Sequence, residues 1–89
     1  MQFTWNEAKR KLNLQQHGFD FVDAAKVFDG PTYTYVDDRF DYSEQRFVTL
    51  GVLDGVVVSI VHTETARHIR IISLRKATRH EQALFFKNL

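Results

Sequence analysis

An Asp-Gly pair at positions 54 and 55 separates two apolar runs, and this feature constrains the fold more than any other. Residues 46–52 alternate with a period of two, whereas residues 56–62 are aliphatic on both faces. Asp-Gly between two such runs favours a two-residue type I′ turn, because both positions accept positive φ. The sequence therefore predicts an antiparallel hairpin whose second strand is central and covered on both sides.

The first helix is predicted over residues 6–16. Thr4 with Glu7 three positions later has the spacing of a capping box, and Asn6 is the alternative cap. Helical spacing marks the side of this helix that is expected to be buried. The residues on that side are Trp5, Ala8 and Leu12.

Two further helices have clear start signals. Asp20 is the expected N-cap of the second, which ends before Pro31, and Thr78 with Glu81 is a capping box for a last helix reaching Leu89. An apolar stripe at i, i+3, i+4 and i+7 marks the core face of the second helix. Its members are Phe21, Ala24, Ala25 and Phe28.

Residues 32–36 and about 68–75 complete the predicted strands, after a short extended segment at 2–5. The mixed pattern of the last strand indicates a bulge near Ile71 and Ile72, or a strand covered on both faces. The polar connection 37–44 is long enough to be mobile. Residues 1–89 therefore form one compact α+β domain of order β-α-α-β-β-β-β-α, with an antiparallel sheet of about four strands packed by two N-terminal helices and one C-terminal helix.

Composition excludes several classes of protein. Without cysteine the chain has no disulfide and no thiolate metal site. It lacks a signal-like N-terminus, and its longest aliphatic run, residues 56–61, is far too short to span a bilayer. We therefore expect a cytoplasmic protein that does not insert into membranes.

The basic charge is concentrated in the second half of the chain. Residues 1–44 hold five Lys or Arg and eight Asp or Glu, and residues 45–89 hold seven and three, so the formal charges are −3 and +4. No acidic side chain lies between Glu64 and Glu81. Arginines fixed on a sheet suit phosphate, because a guanidinium can bond two oxygens at once. The plain alternative is a solvated face that only balances carboxylates elsewhere.

These residue types fit cleavage of RNA without a metal. The 2′-hydroxyl attacks its own phosphate, so the site needs a base, an acid and cations that stabilise the phosphorane. His62 is the first choice for proton transfer, although a histidine on a strand is more often structural. Glu64, His17 and His68 are alternatives. A metal held by His62, Glu64 and His68 is disfavoured by the surrounding arginines, and no metal or cofactor is expected.

Several ordered motifs together resemble the BrnT family of toxins. They include Phe-Thr-Trp-Asn-Glu-Ala-Lys at 3–9, His-Gly-Phe-Asp-Phe at 17–21, Val-His-Thr-Glu at 61–64 and Arg-Ile-Ile-Ser-Leu-Arg-Lys-Ala-Thr-Arg at 70–79. Further matching positions are 13, 24–25, 27–28, 44–51 and 81. The resemblance covers nearly the whole chain.

The resemblance implies a RelE-like fold and a ribonuclease toxin of a type II toxin–antitoxin pair. Its expected partners are RNA and a BrnA-like ribbon-helix-helix antitoxin, with DNA bound only indirectly through that antitoxin. The antitoxin is expected to cover the basic face. The alternative is a non-catalytic module that binds nucleic acid or docks an antitoxin in transcriptional autoregulation.

The residues expected to act fall into two groups. The predicted catalytic residues are His62, Glu64, His17, Arg70 and Arg75. The predicted RNA-binding residues are Arg46, Lys76, Arg79 and Arg67.

Overall fold

Five strands and three α-helices follow one another in the order β-α-α-β-β-β-β-α in a computed structural model that describes residues 1–39 and 43–89. The strands are β1 (Gln2–Trp5), β2 (Tyr33–Asp37), β3 (Arg46–Leu53), β4 (Val56–Glu64) and β5 (His68–Lys76). The helices are α1 (Glu7–His17), α2 (Ala24–Asp29), which follows a 3-10 turn at Phe21–Asp23, and α3 (Arg79–Lys87). The connection 37–44, predicted to be mobile, includes residues 40–42, which lie outside the described residues.

The strands form one mixed sheet in the order β1-β5-β4-β3-β2. β1 pairs in parallel with β5, and the other neighbours are antiparallel. The prediction of about four antiparallel strands is therefore corrected to five strands, one of them parallel. The sequence predicts segment 2–5 as extended, but its pairing joins opposite ends of the chain and so does not follow from a local pattern. Phe3 and Trp5 hold it against the core.

The β3–β4 hairpin confirms the prediction from the Asp-Gly pair. Asp54 has φ 49° and Gly55 has φ 80°, as a type I′ turn requires. β4 is the central strand, and its residues from Val57 to His62 are all buried. A strand that is apolar on both faces is thus covered on both faces.

The capping signals are also confirmed. The side chain of Asn6 accepts a hydrogen bond from the Lys9 amide, so Asn6 and not Thr4 caps α1. Asp20 accepts from the Val22 amide, and Thr78 with Glu81 forms the reciprocal capping box of α3. In the described part of the chain no helix is long and apolar enough to cross a membrane.

A bulge in β5 confirms the irregularity predicted at Ile71 and Ile72. Val61 pairs with Ser73 and His62 pairs with Ile71, which leaves Ile72 as the extra residue. Ile71 packs in one core cluster and Ile72 packs against the other. Because of this extra residue, Ile69 and Ile71 before it and Leu74 after it all lie in the same core cluster, which strict alternation would not allow.

The two core clusters define two faces of the sheet. On the α2 face, Phe21 and Val27 pack against Val58 and Ile60 of β4. On the α3 face, Phe85 packs with the buried side chains that alternate with these along the strands. Those side chains include Val48, Leu50, Val57 and Val61. Every strand residue can be assigned to one face by this alternation.

The prediction for the buried side of α1 is wrong at Ala8 and Leu12, whereas Trp5 packs against the core. Ala8 and Leu12 are exposed, and Asn13 is the buried residue of this helix. Asn13 accepts from the Leu74 amide at 3.2 Å and donates to the Leu74 carbonyl at 2.8 Å. Because β1 pairs with β5 only as far as Ile71, Leu74 has a free backbone edge there. A polar side chain is buried because it completes that edge.

Candidate functional site

Three arginines predicted to hold phosphate lie on the α3 face. Arg46 alternates with the core residue Val48 along β3. Arg75 is the register partner of Ser59, which lies between Val57 and Val61. Arg70 is opposite Thr63, two positions after Val61. Strand alternation therefore places Arg46, Arg70 and Arg75 on one face of the sheet, with Arg46 and Arg70 at the end of β4 and Arg75 four β4 positions away.

Polar side chains cross the whole sheet at the end where β4 finishes. In the strand register, Asp37 of β2 pairs with Arg46 of β3. Arg46 lies beside Thr63 of β4, because their neighbours Phe47 and His62 are paired. Thr63 pairs with Arg70 of β5, which in turn pairs with Thr4 of β1. We call the set Thr4, Asp37, Arg46, Thr63 and Arg70 the polar row. It supplies two guanidinium groups on one sheet surface, and the Arg70 side chain is exposed.

Arg75 is fixed by a two-pronged ion pair. Its Nη1 and Nη2 donate to the Glu81 carboxylate at 2.8 and 3.0 Å. Burial alone would raise the pKa of Glu81, but hydrogen bonds from Arg75 and the Thr78 amide outweigh it and lower that pKa. The same carboxylate closes the capping box of α3. Arg75 therefore links the last strand to the last helix, and 27% of its side chain stays exposed.

A groove of about 350 Å³ opens beside this ion pair. Tyr35, Arg39 and His80 line it together with Arg75. Burial, followed by the charge of Glu81, raises the pKa of Tyr35, so its hydroxyl stays protonated and can donate. None of these three was a candidate from sequence. Tyr35 was recognisable from alternation in its strand, and His80 from its position in the first turn of a capped helix.

His62 lies on the opposite, α2 face and is fully buried. The ring of His62 meets the ring of Phe28 edge-on, with 5.2 Å between the ring centroids, and stacks with the ring of Phe47, with 5.8 Å between the centroids. Burial lowers the pKa of His62 to about 4, so the imidazole is neutral at pH 7. It has no access to solvent or to a polyanion in this structure. Its catalytic role stays a prediction, and its environment is that of a structural residue.

Glu64 follows His62 on the same face, at the end of β4. The Glu64 Oε1 atom lies 3.4 Å from Nδ1 of His62. That nitrogen nevertheless has no hydrogen-bond partner among the described residues, so the contact is a close approach and not a formed hydrogen bond. The two leading proton-transfer candidates are thus separated by the sheet from Arg46, Arg70 and Arg75.

The remaining predicted residues lie at other places. His17 ends α1 and lines a separate groove with Lys9 and Ser73. Lys76 alternates with Leu74 and so lies on the α2 face of β5. Arg79 starts α3, and Arg67 lies in the turn after β4; all four side chains are exposed. Residues 1–39 and 43–89 contain no group of three or more His, Cys, Asp or Glu side chains placed to hold a metal ion.

Comparison with known proteins gives a consistent result. A sequence model of a protein family, described as ribonuclease toxin, BrnT, of type II toxin-antitoxin system, matches residues 5–81. The crystal structure of the Brucella abortus ribonuclease toxin BrnT superposes with a TM-score of 0.70 and 23% identity, covering 89% of this chain and 99% of that one. No curated protein matches the sequence significantly.

Proposed function

Because the chain belongs to the BrnT family of ribonuclease toxins of type II toxin–antitoxin systems, we propose that it cleaves RNA on the α3 face of its sheet, without a metal ion. One observation carries the choice of face: Arg46, Arg70 and Arg75 all lie on it. Guanidinium groups are the side chains best suited to a phosphate whose charge grows in the transition state.

The proposed reaction uses the ribose 2′-hydroxyl as nucleophile. Arg75, already oriented by Glu81, neutralises the reacting phosphate, and Arg70 binds the RNA backbone farther along the same face. His80 and Tyr35 line the same groove and exchange protons with the attacking and leaving oxygens. We assign the donor role to Tyr35, because its phenol stays protonated.

The other residues predicted from sequence lie away from this groove. His62 and Glu64 are on the other face, and His17 is at the end of α1. The cations Lys76, Arg79 and Arg67 are exposed and add to the attraction of RNA over a wider surface. We assign them to binding and not to chemistry.

A type II toxin has an antitoxin partner, and we propose that a BrnA-like ribbon-helix-helix protein fills this role. It is proposed to cover the arginines of the α3 face and to link the toxin to DNA. We further propose a cytoplasmic location and a RelE-like mode of action. These proposals follow from the family, and the positive charge of residues 45–89 supports an acidic contact surface on the antitoxin.

The test is cleavage of a labelled oligoribonucleotide in EDTA by the wild type, Arg70→Ala and Lys26→Ala. Arg70 is exposed and makes no hydrogen bond or ion pair within the described part of the chain, so its loss does not threaten the fold. We expect kcat/KM to fall at least about tenfold for Arg70→Ala, as for the loss of a charged hydrogen bond to the RNA. Lys26, a 68% exposed cation on α2, is the matched control. Equal rates for all three proteins would refute the proposed face.

A further inference from the structure

The end of β4 carries a second cavity, of about 470 Å³, that the proposed chemistry does not use. We call it the turn pocket, and its polar and aromatic lining comprises Glu44, Gln45, Phe47, Thr63, Glu64 and Thr65. Its lining has two carboxylates and no Arg or Lys, which makes it unsuitable for phosphate. An aromatic ring, carboxylate oxygens and hydroxyls together suit a planar group that presents N–H donors.

Three arginines are neighbours, in the chain or in the strand register, of residues that line the turn pocket. Arg46 precedes Phe47 in β3, and Arg70 is the register partner of Thr63. Arg67 follows the turn residues that line the cavity. Arg46 and Arg70 lie on the α3 face, whereas Phe47 and Glu64 lie on the α2 face, so an RNA strand bound by these arginines passes the end of β4 before one of its bases enters the pocket. The aromatic ring and the carboxylates of the lining favour a nucleobase over a free phosphate as the ligand.

The buried neighbour of Glu64 indicates how its carboxylate is used. Thr34 Oγ1 and Thr49 Oγ1 are 2.7 Å apart, and Thr49 Oγ1 is 2.7 Å from Nε2 of His62. If Nε2 accepts from Thr49, the neutral ring carries its proton on Nδ1, which lies toward Glu64. The other tautomer would place a lone pair opposite a carboxylate. The buried, unsatisfied Nδ1 is thus a donor that can hold Glu64 in one orientation.

From this geometry we infer that the turn pocket reads a guanine base of the RNA, stacked on Phe47 and bound through its N1–H and N2–H donors by the carboxylate of Glu64. Only guanine has two adjacent donors on its pairing edge, and a carboxylate accepts two parallel hydrogen bonds. This inference rests on the proposed function for its substrate class. It makes Glu64 a residue of base selectivity, with His62 as its positioning residue.

The test measures binding, so that it does not depend on cleavage. Uncleavable 2′-O-methyl oligouridylates containing one guanine or one inosine are titrated into the wild type, Glu64→Gln and Asp54→Asn. Inosine lacks only the N2 amine. We expect the wild type to bind the guanine oligonucleotide about tenfold more tightly, as for one bidentate base contact. Glu64→Gln should reduce that ratio to about one.

Asp54→Asn is the matched control, because it removes a carboxylate at the opposite end of the same hairpin and asparagine suits the turn. It should keep the tenfold ratio. Phe47→Leu should weaken binding of both oligonucleotides and leave the ratio intact, since stacking does not distinguish them. Equal wild-type affinity for guanine and inosine, or a ratio unchanged in Glu64→Gln, overturns the inference. Loss of cleavage with selective binding retained would instead count against the proposed function.

Discussion

The buried imidazole of His62 makes the folded protein sensitive to mild acid. The pKa of His62 is lowered to about 4 in the folded protein, below the ordinary 6.5. Between these two pH values the imidazole is protonated in the unfolded chain and neutral in the folded one. The resulting stability is fully present above pH 6.5 and is lost as the pH falls from 6.5 toward 4. Carboxylates whose pKa is lowered, such as Glu81, reduce the stability only when the pH falls below about 4.5.

We predict that the free energy of unfolding falls by about 2 kcal/mol between pH 7 and pH 5. His62→Gln, which cannot titrate, should remove most of this slope. Urea denaturation at both pH values measures the effect. A wild-type slope that persists unchanged in the variant would show that another group is responsible.

The Arg75–Glu81 ion pair should also contribute to the stability of the fold. Glu81→Gln leaves the partly buried guanidinium of Arg75 without its counter-charge and weakens the α3 cap. We expect a loss of about 2 kcal/mol in unfolding free energy, measured by urea denaturation. Lys87→Ala, at the exposed end of the same helix, should change stability by less than about 0.5 kcal/mol. Equal effects of the two variants would contradict the assigned role of the pair.

Single residues show how far the sequence alone predicted the candidate site. Alternation within each strand, with the bulge in β5, predicts that Arg46, Arg70 and Arg75 lie on one face. Their guanidinium groups predict that they bind phosphate. The burial of His62 depends on Phe28 and Phe47, which come from distant segments, so local pattern does not reveal it. Tyr35 and Arg39 meet Arg75 only because β2 and α3 border one groove.

At the scale of elements, α1 is attached to the sheet by one polar side chain. Asn13→Ala would leave the amide and carbonyl of Leu74 unsatisfied in a buried place. We expect a cost of about 2 to 3 kcal/mol in unfolding free energy. Gln15→Ala, on the exposed side of α1, is the control. Chemical denaturation of the two variants compares them, and a small effect of Asn13→Ala would mean that water replaces the bond.

The approach of α2 to β3 depends on a glycine. A Cβ at position 51 would lie 2.5 Å from Cγ1 of Val27 and 3.3 Å from Cγ2 of Thr32. Val27 is fully buried and stiff at χ1, so it cannot easily move aside. Gly51→Ala should therefore lower stability by about 1 to 3 kcal/mol, visible as a reduced melting temperature. Gly30→Ala, with no contact closer than 3.8 Å, should have little effect.

Local elements with strong end signals were predictable from sequence. Caps, the Asp-Gly turn and the central strand each depend on residues within a few positions of one another. The parallel pairing of β1 with β5 and the inward side of α1 were missed, because both depend on contacts more than 60 residues apart. Asn13 also breaks the rule that buried helix faces are apolar, since its partner is an unpaired strand edge.

For the molecule as a whole, the sheet separates two kinds of chemistry. The α3 face carries the predicted phosphate-binding arginines, and the α2 face buries a neutral histidine beside a carboxylate. If RNA is held through Arg70, the logarithm of its affinity should vary less steeply with the logarithm of salt concentration in Arg70→Ala. The slope should fall by roughly 0.7 to 0.9 for one phosphate contact. Fluorescence anisotropy with uncleavable RNA measures it, and an unchanged slope would exclude that contact.

We propose that this chain cleaves RNA by its own side chains on the α3 face. The most direct test of this claim is incubation of the purified protein with end-labelled total RNA in EDTA, with and without added ribosomes, beside Arg70→Ala and Lys26→Ala. We predict fragments with the wild type and Lys26→Ala, and strongly reduced cleavage with Arg70→Ala. RNA that stays intact in EDTA under both conditions, while a divalent ion restores cleavage, would contradict the claim.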